Sequence, residues 1–203
     1  MRLVLVRHGE TSLNRDGRVQ GQRDNASLDD LGRRQSAALA MVMAREEVGV
    51  LYSSPLARSM ETAQMVAQAC GVGVTPLEAL MEADVGELEG LTSAQMRERY
   101  PGFMERWRAD AATAVMPEGE SLTEVQERAS KAVAALSDRH HGETVVAVSH
   151  HFTICSLLCW ALGMPLTSFR HFRVDLASKT VLEFRQRGQV LVRLNDRCHL
   201  ESL

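Results

Sequence analysis

The feature that most constrains the fold is a short apolar segment, residues 3–6, that runs directly into Arg7, His8 and Gly9. A continuous apolar run bounded by a turn residue is typical of a strand that is buried on both faces. Such strands occur in parallel sheets covered by helices, and ligands bind at the carboxyl ends of those strands. The pattern therefore predicts that Arg7 and His8 lie at the ligand-binding edge of a parallel sheet.

The same pattern recurs at residues 144–148, which are followed after one serine by His150 and His151. A third predicted strand, residues 49–53, leads into a helix that carries Arg58 in its first turns. Because the carboxyl ends of parallel strands meet at one edge, these segments bring two histidines and two arginines together. Guanidinium groups bind phosphate oxygens through paired hydrogen bonds, so the sequence predicts an anion site at this edge.

Strand and helix patterns alternate along most of the chain. Apolar periodicity and capping residues predict helices at about residues 28–42, 55–70, 122–136 and 152–162. In the second of these helices, Ser54 is the predicted N-cap and Pro55 the predicted first residue. The other predicted strands are a short edge-like one at 72–75 and a hairpin formed by 179–185 and 189–194. The alternation predicts an α/β three-layer sandwich with a mainly parallel central sheet flanked by helices.

The segment of residues 83–119 lacks strand character. It carries two short predicted helices, about 92–100 and 102–112, with an interruption at Pro101. Aromatic residues are 4% of the chain, and several of them lie in this segment. We therefore predict a small helical cap inserted over the sheet edge, within a single domain of residues 1–203.

Composition and charge limit the classes of function. The 203-residue chain has a formal net charge of −3 and no block of basic residues, which argues against a nucleic-acid surface. No apolar run approaches the ~20 residues of a membrane span, and the first residues do not form a signal peptide. The four cysteines show no paired spacing, which suits a reducing compartment. We therefore expect a cytoplasmic protein with no membrane or nucleic-acid partner.

The segment Arg-His-Gly-Glu-Thr at residues 7–11, followed by Asn14, resembles the signature of the histidine phosphatase superfamily, also called phosphoglycerate-mutase-like. Further matching segments are Tyr-Ser-Ser-Pro-Leu-Ala-Arg-Ser-Met-Glu-Thr-Ala at 52–63, Leu-x-Glu-x-x-x-Gly-x-x-Glu-Gly at 80–90, Pro-Glu-Gly-Glu-Ser at 117–121, and Val-Ser-His at 148–150. These segments occur in the family's order and cover nearly the whole chain. The resemblance is therefore specific, whereas any one of the short motifs would be weak evidence.

The resemblance implies a role for each of these residues. It implies that His8 is the nucleophile that accepts the phosphoryl group, and that Glu82 donates a proton to the leaving group. Arg7, Arg58 and His150 are implied to bind the phosphoryl oxygens. The implied substrate contacts are Thr11, Asn14, Gln20, Gly21, His151 and His199. Because arginine and histidine supply the positive charge, we expect no metal ion and no cofactor.

Two positions depart from the family pattern, and the chain end adds a further match. Glycine usually follows the second histidine, but this chain has His151 there. Val85 stands before Gly86, where relatives often carry histidine or phenylalanine. The segment from Asn195 to His199 resembles the tail of bacterial phosphatases in the family, which implies that His199 closes over the site. The alternative is that His199 is a terminal residue with no role in the site.

The expected function is metal-independent hydrolysis of small-molecule phosphomonoesters through a phosphohistidine on His8. Phosphoglycerate mutase, protein phosphohistidine phosphatase and a non-catalytic phosphate-binding module stay open as alternatives. A mutase needs further cationic side chains at the pocket mouth. The arginines of the predicted cap, at 97, 99, 106 and 108, alternate with acidic residues, which is typical of a solvated face. The expected partner is a small phosphorylated metabolite, and a homodimer is left open.

Overall fold

A mixed β-sheet forms the centre of the protein in the computed structural model, which describes residues 1–201 and 203. Its strands are β1 Arg2–Arg7, β2 Val48–Ser53, β3 Val74–Pro76, β4 Thr144–Ser149, β5 Lys179–Arg185 and β6 Gly188–Asp196. They lie in the order β3-β2-β4-β1-β5-β6. The pairs β1–β4, β2–β4 and β2–β3 are parallel, whereas β5 pairs antiparallel with both β1 and β6. Among the described strands, β5 is therefore the one that runs in the opposite direction.

Helices cover both faces of this sheet. They are α1 Ser12–Arg15, α2 Asp30–Met43, α3 Ala57–Cys70, α4 Ser93–Arg99, α5 Pro101–Ala109, α6 Leu122–Arg139 and α7 His151–Ala161. In β1, Leu3 and Leu5 belong to a buried cluster that includes side chains of α6 and α7. Val4 and Val6 point the other way and join a cluster with side chains of α2 and α3. The predicted three-layer α/β sandwich is confirmed.

The start of α3 differs from the sequence prediction. We expected Ser54 to cap the helix and Pro55 to be its first residue, but α3 begins at Ala57 and its N-cap position is Leu56. The reason is that the Ser54 hydroxyl lies 2.8 Å from Nε2 of His150, although it also accepts the Leu56 N–H at 3.3 Å. Ser54 therefore contributes to the sheet edge rather than to the helix.

The segment between β1 and α2 contains the short helix α1. Thr11 is its N-cap, and the Thr11 and Asn14 side chains each accept the other's backbone N–H in a reciprocal cap. The loop lies directly on α2, because a Cβ atom at Gly32 would overlap the carbonyl oxygen of Glu10. This contact fixes the path of the chain immediately after β1.

The predicted cap segment contains α4 and α5. Pro101 is the first residue of α5, where proline is favoured, rather than a simple break between the helices. Trp107 of α5 packs against Phe152 at the start of α7 and against Phe169, with ring centroids 5.9 Å apart in both pairs. The segment thus rests on the same helix that follows β4, and its assignment as a cap within a single domain stays a prediction. Among the described helices, none is long and apolar enough to cross a membrane.

Candidate active site

The carboxyl ends of the adjacent strands β1 and β4 bring two buried histidines together. His8 follows β1 directly, and its backbone N–H donates to the carbonyl oxygen of Ser149 at the end of β4. His150 follows Ser149, and the His8 and His150 ring centroids are 5.1 Å apart. The side chains are 3% and 0% exposed, respectively. Parallel pairing of β1 with β4 therefore places both rings at one sheet edge.

The tautomer of His8 follows from its hydrogen bond. Nδ1 lies 2.7 Å from the carbonyl oxygen of Gly9, and a carbonyl can only accept, so Nδ1 carries the proton. Burial lowers the pKa of His8 well below its usual value, and the nearby charges of Arg58 and Arg7 lower it further. The ring is therefore neutral at physiological pH, with an unprotonated Nε2.

Two guanidinium groups lie beside the histidines. Nη1 of Arg7 donates to the carbonyl oxygen of Val174 at 2.8 Å, and Nη2 of Arg58 donates to that of Gly21 at 2.7 Å. Burial lowers the pKa of Arg7 and brings that of Arg58 to about 10, so both stay cationic at neutral pH. Within the described residues, the buried Nε atom of each arginine has no hydrogen-bond partner. Unpaired buried donors on cations are what an anion site requires.

His150 is held from the other side by hydroxyl groups. Its Nε2 lies 2.8 Å from the Ser54 hydroxyl and 3.2 Å from the Ser59 hydroxyl. Its buried Nδ1 has no partner in the part of the chain that the structure describes. Burial lowers the pKa of His150 well below its usual value, and the charge of Arg58 acts in the same direction. Sequence reasoning missed the two serines, although both lie in the motif at 52–63.

The carboxyl group of Glu82 sits at the N-terminus of α7. Its Oε1 accepts the backbone N–H groups of Ala83 and Thr153 at 3.0 and 3.2 Å, and its Oε2 accepts that of Phe152 at 3.1 Å. The first N–H groups of a helix have no intrahelical partner, and the Glu82 carboxyl oxygens satisfy those of Phe152 and Thr153. These donors fix the orientation of the Glu82 carboxyl group, which lines the same cleft as Arg7 and His8.

Arg128 of α6 holds the loop that carries Glu82. Its guanidinium group forms a two-pronged pair with the Glu120 carboxylate, with both N–O distances 3.0 Å. The same group donates to the carbonyl oxygens of Ala79, Met81 and Glu82 at 2.9, 2.8 and 2.9 Å. Sequence reasoning missed Arg128; the available signal was Glu120, which belongs to the motif at 117–121. We infer that this pair positions Glu82.

The residues after His8 form a polar wall of the cleft. The Thr11 hydroxyl lies 3.0 Å from the side-chain carbonyl oxygens of both Asn14 and Gln20. Oδ1 of Asn14 already accepts the Thr11 backbone N–H, so the single hydroxyl proton is available to the Gln20 carbonyl oxygen. Within the described residues, the buried Nε2 of Gln20 has no partner. Asn14 and Gln20 line the cleft, whereas Thr11 is fully buried behind them. The structure thus offers amide N–H groups to a ligand from this wall.

Gly21 does not line the cleft. Its N–H donates to Oε1 of Glu89 at 2.7 Å, and its carbonyl oxygen accepts from Arg58. The other Glu89 oxygen accepts the backbone N–H of Arg23 at 2.9 Å. Glu89 therefore holds the loop, and the loop carbonyl fixes the Arg58 side chain. A direct contact of Gly21 with substrate stays a prediction.

The two remaining histidines of the predicted site lie in different places. His151 is the first residue of α7 and lines the cleft, and its pKa is lowered by burial and then by Arg7. His199 lies in a 3₁₀ turn, where its Nε2–H donates to the carbonyl oxygen of Ala177 at 3.0 Å. The N–H of Ala177 in turn donates to the carbonyl oxygen of His8 at 3.0 Å. His199 therefore stands behind the His8 segment and does not close over the cleft, so its role as a substrate contact stays a prediction.

The cleft itself has a volume of about 320 Å³. Its polar lining consists of Arg7, His8, Asn14, Arg18, Gln20, Glu82 and His151, and Val19 and Phe152 complete it. Arg18 was missed as a site residue, and its Nη1 donates to the carbonyl oxygen of Gly90 at 2.7 Å. In the described chain, no group of histidine, cysteine and acidic side chains could hold a metal ion.

The site thus combines a neutral buried imidazole near two guanidinium groups with a carboxyl group that lines the same cleft, an arrangement suited to chemistry on a phosphate ester. The model of the histidine phosphatase superfamily (branch 1) matches residues 3–197, and the chain belongs to this superfamily. The predicted family is thereby confirmed, as is the predicted enzyme class, a phosphatase.

Three similar proteins illustrate the range of the family. Phosphoserine phosphatase 1 of Hydrogenobacter thermophilus is 36% identical over 200 residues, which cover 98% of this chain and 94% of that protein. Phosphoglycerate mutase-like protein 4 of Arabidopsis thaliana is 35% identical over 158 residues, which cover 76% and 68%. A mycobacterial glucosyl-3-phosphoglycerate phosphatase, solved in complex with VO3, has a TM-score of 0.87 at 33% identity, covering 96% of this chain and 98% of that chain.

The lowered pKa of His8 makes stability depend on pH. The unfolded chain has a histidine pKa of ~6.5, so it takes up protons before the folded protein does as the pH falls. We expect full stability above about pH 6.5, and below it a loss of up to ~1.4 kcal/mol per pH unit from this residue. Urea denaturation at about pH 7.5 and about pH 5.5 measures this loss.

The matched variant is His8→Asn, whose amide can still donate to the Gly9 carbonyl oxygen. Between the two pH values we expect this variant to lose ~1 kcal/mol less stability than the wild type. Equal pH dependence of the two proteins would show that His8 is not held neutral in the folded state.

Proposed function

We propose that the protein hydrolyses small phosphomonoesters through a phosphohistidine on His8. The lone pair of His8 Nε2 attacks phosphorus, the bond to the leaving oxygen breaks, and Glu82 gives that oxygen a proton. A water molecule then returns a proton to Glu82 while its oxygen attacks phosphorus, which breaks the P–N bond and releases phosphate. Arg7, Arg58 and His150 bind the three phosphoryl oxygens during both steps.

One observation carries this proposal. The Nδ1–H bond from His8 to the Gly9 carbonyl oxygen fixes the tautomer in which Nε2 is unprotonated. A histidine nucleophile needs an available nitrogen lone pair, and burial, together with the charges of Arg58 and Arg7, keeps the ring neutral. The same two groups supply unpaired donors for the anion. The relative solved with VO3 supports anion binding in this fold.

A phosphoglycerate mutase is the second candidate, and one observation favours it. The cap arginines alternate with acidic residues, but Arg18 brings a further arginine to the cleft from the loop after β1. Beyond it, Arg173 and Arg197 line an adjoining polar recess. Asp175 pairs with both of these arginines at 2.9 Å, and Glu10 lines the same recess, so two carboxylates oppose the two positive charges. The geometry therefore favours a phosphatase.

The experiment compares the two reactions on one preparation. We expect inorganic phosphate to be released from small monoesters without added bisphosphoglycerate, because no second phosphate is needed to prime His8. We expect negligible interconversion of 2- and 3-phosphoglycerate, with or without the bisphosphate. Dominant mutase turnover that requires the bisphosphate would contradict the proposal, and no turnover of p-nitrophenyl phosphate would indicate a binding module.

A further inference from the structure

A second, apolar pocket adjoins the cleft on the side of the cap. It has a volume of about 80 Å³, and Met96, Phe103, Met104 and Trp107 of α4 and α5 form its cap side. Val19 and Phe152 line both the pocket and the cleft. These two side chains therefore form the boundary between the pocket and the cleft that holds His8 and Glu82.

The lining of this pocket is suited to hydrocarbon. It consists of Val, Leu, Met, Phe and Trp side chains. An apolar cavity of about 150 Å³ stays dry and binds benzene, so a space about half that size accepts a short branched chain. Its three methionines, Met96, Met104 and Met116, are flexible and can adjust to a larger group.

The apolar pocket offers no charged partner to an alcohol that carries an ammonium or carboxylate group. An ammonium or carboxylate group entering the pocket would lose its hydration without gaining a charged partner. In the polar recess that adjoins the cleft, Arg173 and Arg197 are already paired with Asp175, and Arg18 donates to the carbonyl oxygen of Gly90. The wholly apolar lining of the pocket therefore points to an uncharged, apolar leaving alcohol.

We propose that the pocket binds the apolar part of the substrate, which is a phosphomonoester of an alcohol with a short aliphatic or aromatic group. The phosphate lies in the cleft at His8, and the hydrocarbon passes between Val19 and Phe152 into the pocket. This assignment rests on the proposed phosphatase function and adds a substrate class to it.

The test uses primary alkyl phosphates, whose leaving groups have similar acidity. We expect kcat/KM to rise about fourfold for each added CH₂ from ethyl to butyl to 3-methylbutyl phosphate, as apolar burial predicts. Phosphoserine and 3-phosphoglycerate should be poorer substrates than butyl phosphate. Alkylphosphonates of the same chain lengths are not hydrolysed. In a calorimetric titration, their affinity should rise with chain length, as kcat/KM does for the esters.

Two outcomes separate this inference from the proposed function. If phosphate is released but kcat/KM does not depend on chain length, or if phosphoserine is the preferred substrate, the pocket does not bind the apolar part of the substrate. The phosphatase assignment then stays intact. If no ester is hydrolysed, the proposed function fails, and the phosphonate titration still decides whether apolar groups bind. Affinity that does not change with chain length overturns the inference in that case as well.

Variants at Met104 test whether the dependence of kcat/KM on chain length arises from the apolar pocket. Met104→Gln keeps the side-chain length but adds a polar amide, and it should lower the ratio of kcat/KM for 3-methylbutyl over ethyl phosphate by about tenfold. Met104→Leu should retain most of that ratio. Glu105→Gln, which changes the next, exposed residue of α5, should reproduce the wild-type profile. A ratio that is the same in all four proteins contradicts the assignment.

Discussion

Replacing His8 with alanine is expected to lower kcat for p-nitrophenyl phosphate by at least ~10⁴-fold. Removal of a nucleophile leaves only the binding and charge stabilisation that the other groups provide, and losses of this size are usual for such variants. The fold should persist, because the side chain forms one hydrogen bond with the neighbouring residue, worth about 1 kcal/mol. Steady-state kinetics and a urea unfolding curve on the same preparation measure both effects.

The control for this variant is His141→Ala. His141 is exposed and precedes β4, at the opposite end of the sheet from the cleft, so its loss should leave kcat unchanged. Wild-type protein quenched with base during turnover should carry acid-labile phosphate, and His8→Ala should carry none. Substantial activity in His8→Ala together with an unlabelled wild type would exclude the phosphohistidine mechanism.

Glu82→Gln is expected to lower kcat for alkyl phosphates by ~10²- to 10⁴-fold, the usual range for the loss of a general acid. The loss should be much smaller for p-nitrophenyl phosphate, because p-nitrophenolate leaves without a proton. The glutamine oxygen can still accept hydrogen bonds from the start of α7. Its NH₂ group cannot accept the remaining N–H, which costs about 1–3 kcal/mol of stability, so unfolding must be measured in parallel.

Glu89→Gln makes the same chemical change at a carboxylate with a different task. Glu89 holds the loop whose Gly21 carbonyl oxygen fixes Arg58, so its loss should impair phosphate binding whatever the leaving group is. We therefore expect Glu89→Gln to affect both substrates by the same factor. A similar equal loss in Glu82→Gln would mean that Glu82 is not the acid.

The sheet and its layers could be predicted from the sequence because apolar periodicity records which faces are buried. The approach of His8 to His150 could also be predicted, because each residue follows an apolar strand and the carboxyl ends of parallel strands meet at one edge. The position of Arg128 could not be predicted in this way. In the sequence of α6 it falls among polar residues, which predicts a solvated side chain. In the structure its partners are mainly backbone carbonyl oxygens, and residue types do not indicate such partners.

Short-range signals were also overridden by contacts with distant residues. Ser54 and Pro55 form a good helix start, but the contact of the Ser54 hydroxyl with His150 moves the start of α3 to Ala57. Similarly, the tail motif indicated His199 as a lid, but its ring donates to the carbonyl oxygen of Ala177 behind the site. In both places a tertiary hydrogen bond decides the outcome, and local pattern does not report it.

The position of β1 in the sheet has a consequence for synthesis on the ribosome. β1 is translated before both of its neighbours in the sheet, β4 and β5, which follow only after α6. Until they appear, this apolar strand has two unpaired edges, which are the kind of surface that associates with other chains. The nascent protein must therefore protect the segment that leads into His8, and the candidate active site cannot assemble until β4 has been made.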